Sequence, residues 1–132
     1  MYDVAIVAVH YERDDERQRV LVRAEGPQSL EDTLAVINRQ AAEGAWSYAL
    51  IYDSRDAERG PTTEEVHEAI REVGRLTAKH GPRGPVAVVI SNPGFFKAAK
   101  RYASLGELTA LEVELFATTE AAETWLQEVK HS

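Results

Sequence analysis

Val86-Ala87-Val88-Val89-Ile90 is apolar without a break and rich in β-branched residues. A strand of this kind has no face to give to water, so it belongs inside a parallel sheet covered by helices on both sides. Gly81-Pro82 and Gly84-Pro85 precede it, and Ser91-Asn92-Pro93 follows it. That proline stands in a helical first turn, where its missing N–H costs nothing. A buried strand feeding a helix in this way is the repeating unit of an α/β fold.

The other segments fall in around that strand. Val4-Ala5-Ile6-Val7-Ala8-Val9 reads as a buried strand and Arg19-Val20-Leu21-Val22-Arg23 as a second. The charged stretch over 12–18 between them predicts a turn, and so an antiparallel hairpin. After Gly26-Pro27, Ser29 is placed to cap a helix that has Glu31 and Asp32 at the positive end of its dipole. Leu30, Leu34, Ile37 and Ala41 share one face of that helix, and Gly44 closes it. Residues 46–52 predict a third strand, followed by a charged loop over 53–61. Thr62 and Glu65 have the spacing of a reciprocal capping box, ahead of an apolar stripe of Val66, Ile70, Val73 and Leu76. The helix after Pro93 carries Phe95, Phe96, Ala99 and Tyr102 and ends at Gly106. Residues 111–116 alternate as an edge strand does. Thr118 then caps a last helix with Ala122, Trp125, Leu126 and Val129 turned inward. The order β-β-α-β-α-β-α-β-α predicts an α/β three-layer sandwich: a five-stranded mixed, mostly parallel sheet with an N-terminal β-hairpin. All of it is expected to form a single domain over 1–132.

Composition narrows the function. The chain has 132 residues and no cysteine, which excludes a thiolate nucleophile, a zinc–thiolate site and a disulfide scaffold, and suits a reducing cytoplasm. Its start, Met1-Tyr2-Asp3-Val4, lacks the basic and long apolar regions of a signal peptide, and no apolar run approaches the ~20 residues of a membrane span. A net charge of −7, from 22 acidic against 15 basic residues, opposes binding driven by phosphate neutralisation, so no nucleic-acid partner is expected.

Three stretches carry a resemblance to a known family. They are Leu50-Ile51-Tyr52-Asp53-Ser54-Arg55 running on to Pro61-Thr62-Thr63-Glu64-Glu65, then Pro85-Val86-Ala87-Val88-Val89-Ile90, then Val113-Glu114-Leu115-Phe116 with Glu120-Ala121-Ala122-Glu123-Thr124-Trp125-Leu126. With the order of elements, they resemble the SpoIIAA-like proteins of the STAS (sulfate transporter and anti-sigma-factor antagonist) superfamily, which are related to CRAL-TRIO lipid-binding domains. The resemblance implies a regulatory module that binds a protein partner, with a serine phosphorylated in an Asp-Ser-Ser/Thr-Gly motif after the third strand. Asp53 and Ser54 match that motif, whereas Arg55 and Asp56 replace its small residues. Ser54, Thr62 and Thr63 are therefore the phosphorylation candidates.

In an open parallel sheet the binding crevice lies beyond the carboxyl ends of the strands. Asp53, Ser54, Arg55, Ser91 and Asn92 are expected on that rim. The helix after Pro93 would turn its free N–H groups toward them, with Lys97, Lys100 and Arg101 along it, an arrangement that suits a phosphate or carboxylate. The alternative is plain capping by Ser91 or Asn92 with solvated lysines. Asp53 is expected to pair with Arg55 or to accept from loop N–H groups. Phe95 and Phe96 are adjacent, so they diverge by about 100° on a helix, and one of them is expected to face a partner or a second copy of the chain. Phe95, Phe96, Tyr102 and Trp125 also suit an apolar cavity, or simply the core.

Enzymatic signatures are missing. His10, His67, His80 and His131 stand in no metal-ligand frame, no G-x-S-x-G is present, and both common nucleotide-binding glycine motifs are absent. No catalytic residue, metal or cofactor is expected. The function predicted is a non-enzymatic regulatory module acting through a protein partner or homodimer. The alternative is a module for a small anionic or apolar, lipid-like ligand at the strand-end crevice.

Overall fold

The computed structural model describes residues 8–58, 61–91, 93–106 and 111–131. Strands β1 (Ala8–Asp14) and β2 (Arg19–Gly26) form the antiparallel hairpin. Helix α1 (Leu30–Ala42), strand β3 (Ala49–Ala57), helix α2 (Thr63–His80), strand β4 (Val86–Val89), helix α3 (Pro93–Gly106), strand β5 (Val113–Phe116) and helix α4 (Thr119–His131) follow. The five strands lie side by side in chain order, β1-β2-β3-β4-β5, with every pair after the hairpin parallel. The expected α/β three-layer arrangement is thus the observed one.

This topology decides where the helices go. Right-handed crossovers that always step in the same direction place every crossover helix on one face. Accordingly α1, α2 and Tyr102 of α3 pack with Val20, Val22, Leu50 and Val86 in one core. Helix α4 leaves the edge strand and folds back over the other face, where Ala122 and Leu126 meet Ile51, Ala87 and Val89. It covers β3, β4 and β5. The outer face of the hairpin therefore carries His10, Glu12 and Arg23 exposed, with Leu21 38% exposed between them.

The helix caps follow the sequence pattern. Ser29 accepts from the Asp32 N–H while the Asp32 carboxylate accepts from the Ser29 N–H, and Thr62 and Glu65 repeat that reciprocal pair on α2. Thr118 Oγ1 accepts from the Ala121 N–H at the start of α4.

The strand ends differ from expectation. β1 runs to Asp14 rather than turning at residue 12, because its outward side chains alternate into solvent while it pairs with β2 along its length; Val4 to Val7 lie outside the described residues. β2 likewise continues past Arg23 to Gly26. β3 begins at Ala49, not 46, and runs on to Ala57. Residues 53–57, expected as a loop, are held as strand because Arg23, Glu25 and Gly26 of β2 pair with Asp53, Asp56 and Ala57. β4 stops at Val89, one residue early, and β5 starts at Val113 rather than 111.

Candidate functional site

Between the sheet and helices α1, α2 and α3 lies a cavity of about 140 Å³. It follows the inner face of β3 and β4, from Arg83 and Val86 at their N-terminal ends to Ser54, Ala57 and Ile90 at their C-terminal ends. The exposed residues Ser29 and Pro61 mark its mouth. Its walls include Ile37 from α1 and Val66 from α2, which the sequence pattern turned inward, together with Val36, Ala69 and Val88. The apolar stripes of three helices face the sheet there without closing the space completely.

Few polar atoms enter this lining, and each has a definite environment. Ser54 Oγ donates to the Val89 carbonyl at 2.9 Å. Burial pushes the Tyr52 phenol up, against the opposing effect of its hydrogen bond with Thr33. Gln28 donates from Nε2 to the carbonyl of Glu25 at 3.0 Å, while its buried Oε1 has no hydrogen-bond partner. Arg83 is 6% exposed. Its Nε and Nη2 donate to Gln40 Oε1 at 2.9 and 2.8 Å, Nη1 donates to the Tyr102 hydroxyl at 3.3 Å, and the guanidinium lies 5.0 Å from the Trp46 ring centroid.

Gly84 fixes that arginine in place. A Cβ at Gly84 would stand 2.3 Å from the Tyr48 carbonyl oxygen, so only glycine lets the 81–85 connector press against the turn before β3. The Gly84 N–H donates to the Trp46 carbonyl at 3.0 Å, and the Trp46 indole N–H returns a bond to the Gly81 carbonyl at 2.9 Å.

The residues expected on one rim are divided between two faces. Side chains alternate along a strand, so Ser54 lines the cavity while Asp53 and Arg55 lie on the α4 face. Asp53 is 4% exposed. Arg55 meets it bidentately, Nε to Oδ1 at 2.9 Å and Nη2 to Oδ2 at 2.8 Å, and the Arg55 N–H adds a third bond at 3.2 Å. Burial alone would raise the Asp53 carboxyl, but these bonds and the charges of Arg55 and Arg23 together hold it below the ordinary carboxylate range. Ser91 is exposed, with its hydroxyl 3.4 Å from the Arg55 carbonyl. Thr62 and Thr63 are exposed beside the cavity mouth, and Lys97 is exposed on α3. Asn92 lies outside the described residues, as do the side chains of Phe95 and Phe96. Of the other aromatics, Tyr102 lines the cavity, whereas Trp125 packs on Phe116 on the opposite face with ring centroids 5.6 Å apart.

Among the described residues no cluster of His, Asp and Glu is placed to hold a metal, and no helix is long and apolar enough to cross a membrane.

Sequence comparison matches no family model and no curated protein. Structure comparison does give matches. An anti-sigma factor antagonist from Mycobacterium paratuberculosis superposes with a TM-score of 0.61 at 17% identity, over 96% of this chain and 99% of that one. An uncharacterised DUF3478-family protein with a SpoIIAA-like fold, from Shewanella loihica PV-4, superposes with a TM-score of 0.58 at 19% identity, over 96% and 98%. The fold is SpoIIAA-like. The resemblance carried by the residues around Asp53, Val86 and Phe116 therefore holds at the level of the fold.

Within this SpoIIAA-like frame, sequence reasoning missed Arg83, Gln40 and Gln28. The one available signal was a lone arginine between two Gly-Pro pairs immediately before the most apolar strand.

Proposed function

We propose that this SpoIIAA-like chain is a regulatory binding module whose primary site is the cavity between β3, β4 and helices α1–α3, and that its ligand is a small, largely apolar molecule. The observation that carries this reading is the combination of an apolar lining of about 140 Å³ with an exposed mouth. An apolar cavity of about 150 Å³ stays dry and accepts benzene. The space here suits a ligand of about six to eight non-hydrogen atoms, or the end of a longer chain that reaches out past Pro61. Gln28 Oε1, buried and unpaired, offers such a ligand one acceptor. The absence of cysteine supports a reducing compartment such as the cytoplasm as its place of action.

A second reading, capture of a protein partner or a second copy under phosphate control, is supported by two observations. One solved structure of this fold is an anti-sigma factor antagonist, and Thr62 and Thr63 stand exposed at the start of α2, beside the mouth. Ser54 is the less accessible candidate, because its hydroxyl is bonded inward to Val89.

Mass spectrometry of protein purified without detergent separates the two readings. The cavity reading expects an added mass under native conditions that disappears on denaturation. A phosphate-sized increment that survives denaturation and maps to Thr62, Thr63 or Ser54 supports the second reading. A bare mass in both spectra, unchanged after incubation with six-carbon alcohols and acids, contradicts the first.

A further inference from the structure

Arg83 is a buried cation with no carboxylate partner among the described residues. A guanidinium carries a fixed positive charge. Its hydrogen-bond and ring partners among the described residues are all neutral: the Gln40 carbonyl, the Tyr102 hydroxyl and the Trp46 ring. A buried charge without a counter-charge costs several kcal/mol in general, and proteins normally supply the missing partner.

The arrangement around Arg83 is also rigid. Both Nε2 hydrogens of Gln40 are committed, to the carbonyls of Ala45 at 3.0 Å and Tyr48 at 3.2 Å. The amide cannot turn over, so its oxygen is fixed toward the arginine. Gln40 thus holds the guanidinium in position without cancelling its charge. Of the five N–H groups an arginine carries, three are used here, and one on each terminal nitrogen has no protein acceptor among the described residues. Arg83 lines the same cavity as Val86 and Tyr102, at the end away from the mouth.

We infer that the cavity's ligand is a small apolar carboxylic acid, bound head-inward, with its carboxylate on the free N–H groups of Arg83 and its hydrocarbon part along Val88, Ala69 and Ile37 toward the mouth. This deepens the cavity reading and rests on it. A planar carboxylate accepts two parallel N–H bonds from a guanidinium, which a neutral alcohol does not. The cavity volume of about 140 Å³ matches a small free acid of about eight non-hydrogen atoms.

The test compares hexanoate with 1-hexanol by titration calorimetry at neutral pH, for the full chain and for Arg83→Met and Arg83→Lys. Charge-assisted bonding predicts that the unaltered chain prefers hexanoate by about 10- to 100-fold. Arg83→Met should abolish the preference and leave hexanol binding in place, and Arg83→Lys should retain part of it. One readout needs no variant: with a 13C-carboxyl label, bound hexanoate should titrate at a lower pH than free hexanoate, because the guanidinium favours the anion. If hexanol binds the unaltered chain as tightly as hexanoate does, the head-group assignment falls and the cavity reading stands. If neither binds, both fall together.

Discussion

Filling the cavity should move stability and binding in opposite directions. Ala69 lies on α2, is 3% exposed and lines the space. A void of about 140 Å³ leaves unrealised about 3 kcal/mol of stability at ~24 cal/mol per Å³. Ala69→Leu adds three carbons, worth about 2.4 kcal/mol if all are buried at ~0.8 kcal/mol each. Fixing the leucine rotamer costs about 0.5–1 kcal/mol. The net expectation is a gain of about 1–2 kcal/mol, read as a higher urea midpoint with an unchanged slope and a rise in Tm of roughly 4 °C per kcal/mol. The same variant should bind six-carbon ligands at least tenfold more weakly, since the leucine occupies their volume. A variant that is destabilised yet binds as before would refute the reasoning, because the added carbons would then have met packed atoms rather than empty space.

Further predictions concern the groups that frame the site. Arg55→Ala should cost about 2–4 kcal/mol at neutral pH, more than the ~1–2 kcal/mol of Asp53→Asn, because it leaves a buried carboxylate rather than a solvent-reachable cation unpaired. The pH dependence should also reverse. In the unaltered chain Asp53 is held below the ordinary carboxylate range, so its stabilisation is complete above the unfolded value and disappears as the pH falls through the lower folded one. In Arg55→Ala burial raises that carboxyl, so the variant should recover relative to the unaltered chain on acidification; a constant deficit in denaturation midpoints across that range would contradict this. Gly84→Ala should destabilise by about 2–3 kcal/mol, since its Cβ would fall 2.3 Å from the Tyr48 carbonyl; a change within 0.5 kcal/mol, of the order of an ordinary surface substitution, would show that the connector relaxes freely. Thr62→Ala removes the hydroxyl that caps α2 and should cost about 1 kcal/mol in chemical denaturation; no measurable loss would mean that the helix start is held by other contacts.

Local features were legible in the sequence, and features set by distant neighbours were not. Ser29 with Asp32 and Thr62 with Glu65 announce their helices because cap and partner are three residues apart. The apolar run at Val86 announces a buried parallel strand because every side chain is of one kind. The polar end of β3 looked like a loop because Asp53, Arg55 and Asp56 have no strand preference of their own. What makes them strand is the extension of β2 beside them. Period-2 alternation then sends Ser54 into the cavity and Asp53 to the other face, which a rim of strand-end residues does not anticipate. Arg83 was the hardest to see. It sits in a Gly-Pro connector, and its meaning depends on Gln40, 43 residues earlier, being turned toward it.

The space under α1–α3 is the proposed ligand site. Methyl-resolved NMR during titration with hexanoate tests it most directly. The account predicts saturable shifts at Ala69, Val88, Ile90 and Ala99, which line the cavity, with Leu21 on the open outer face unmoved. Shifts confined to Leu21 and its neighbours on the hairpin, or none at any methyl, would contradict it.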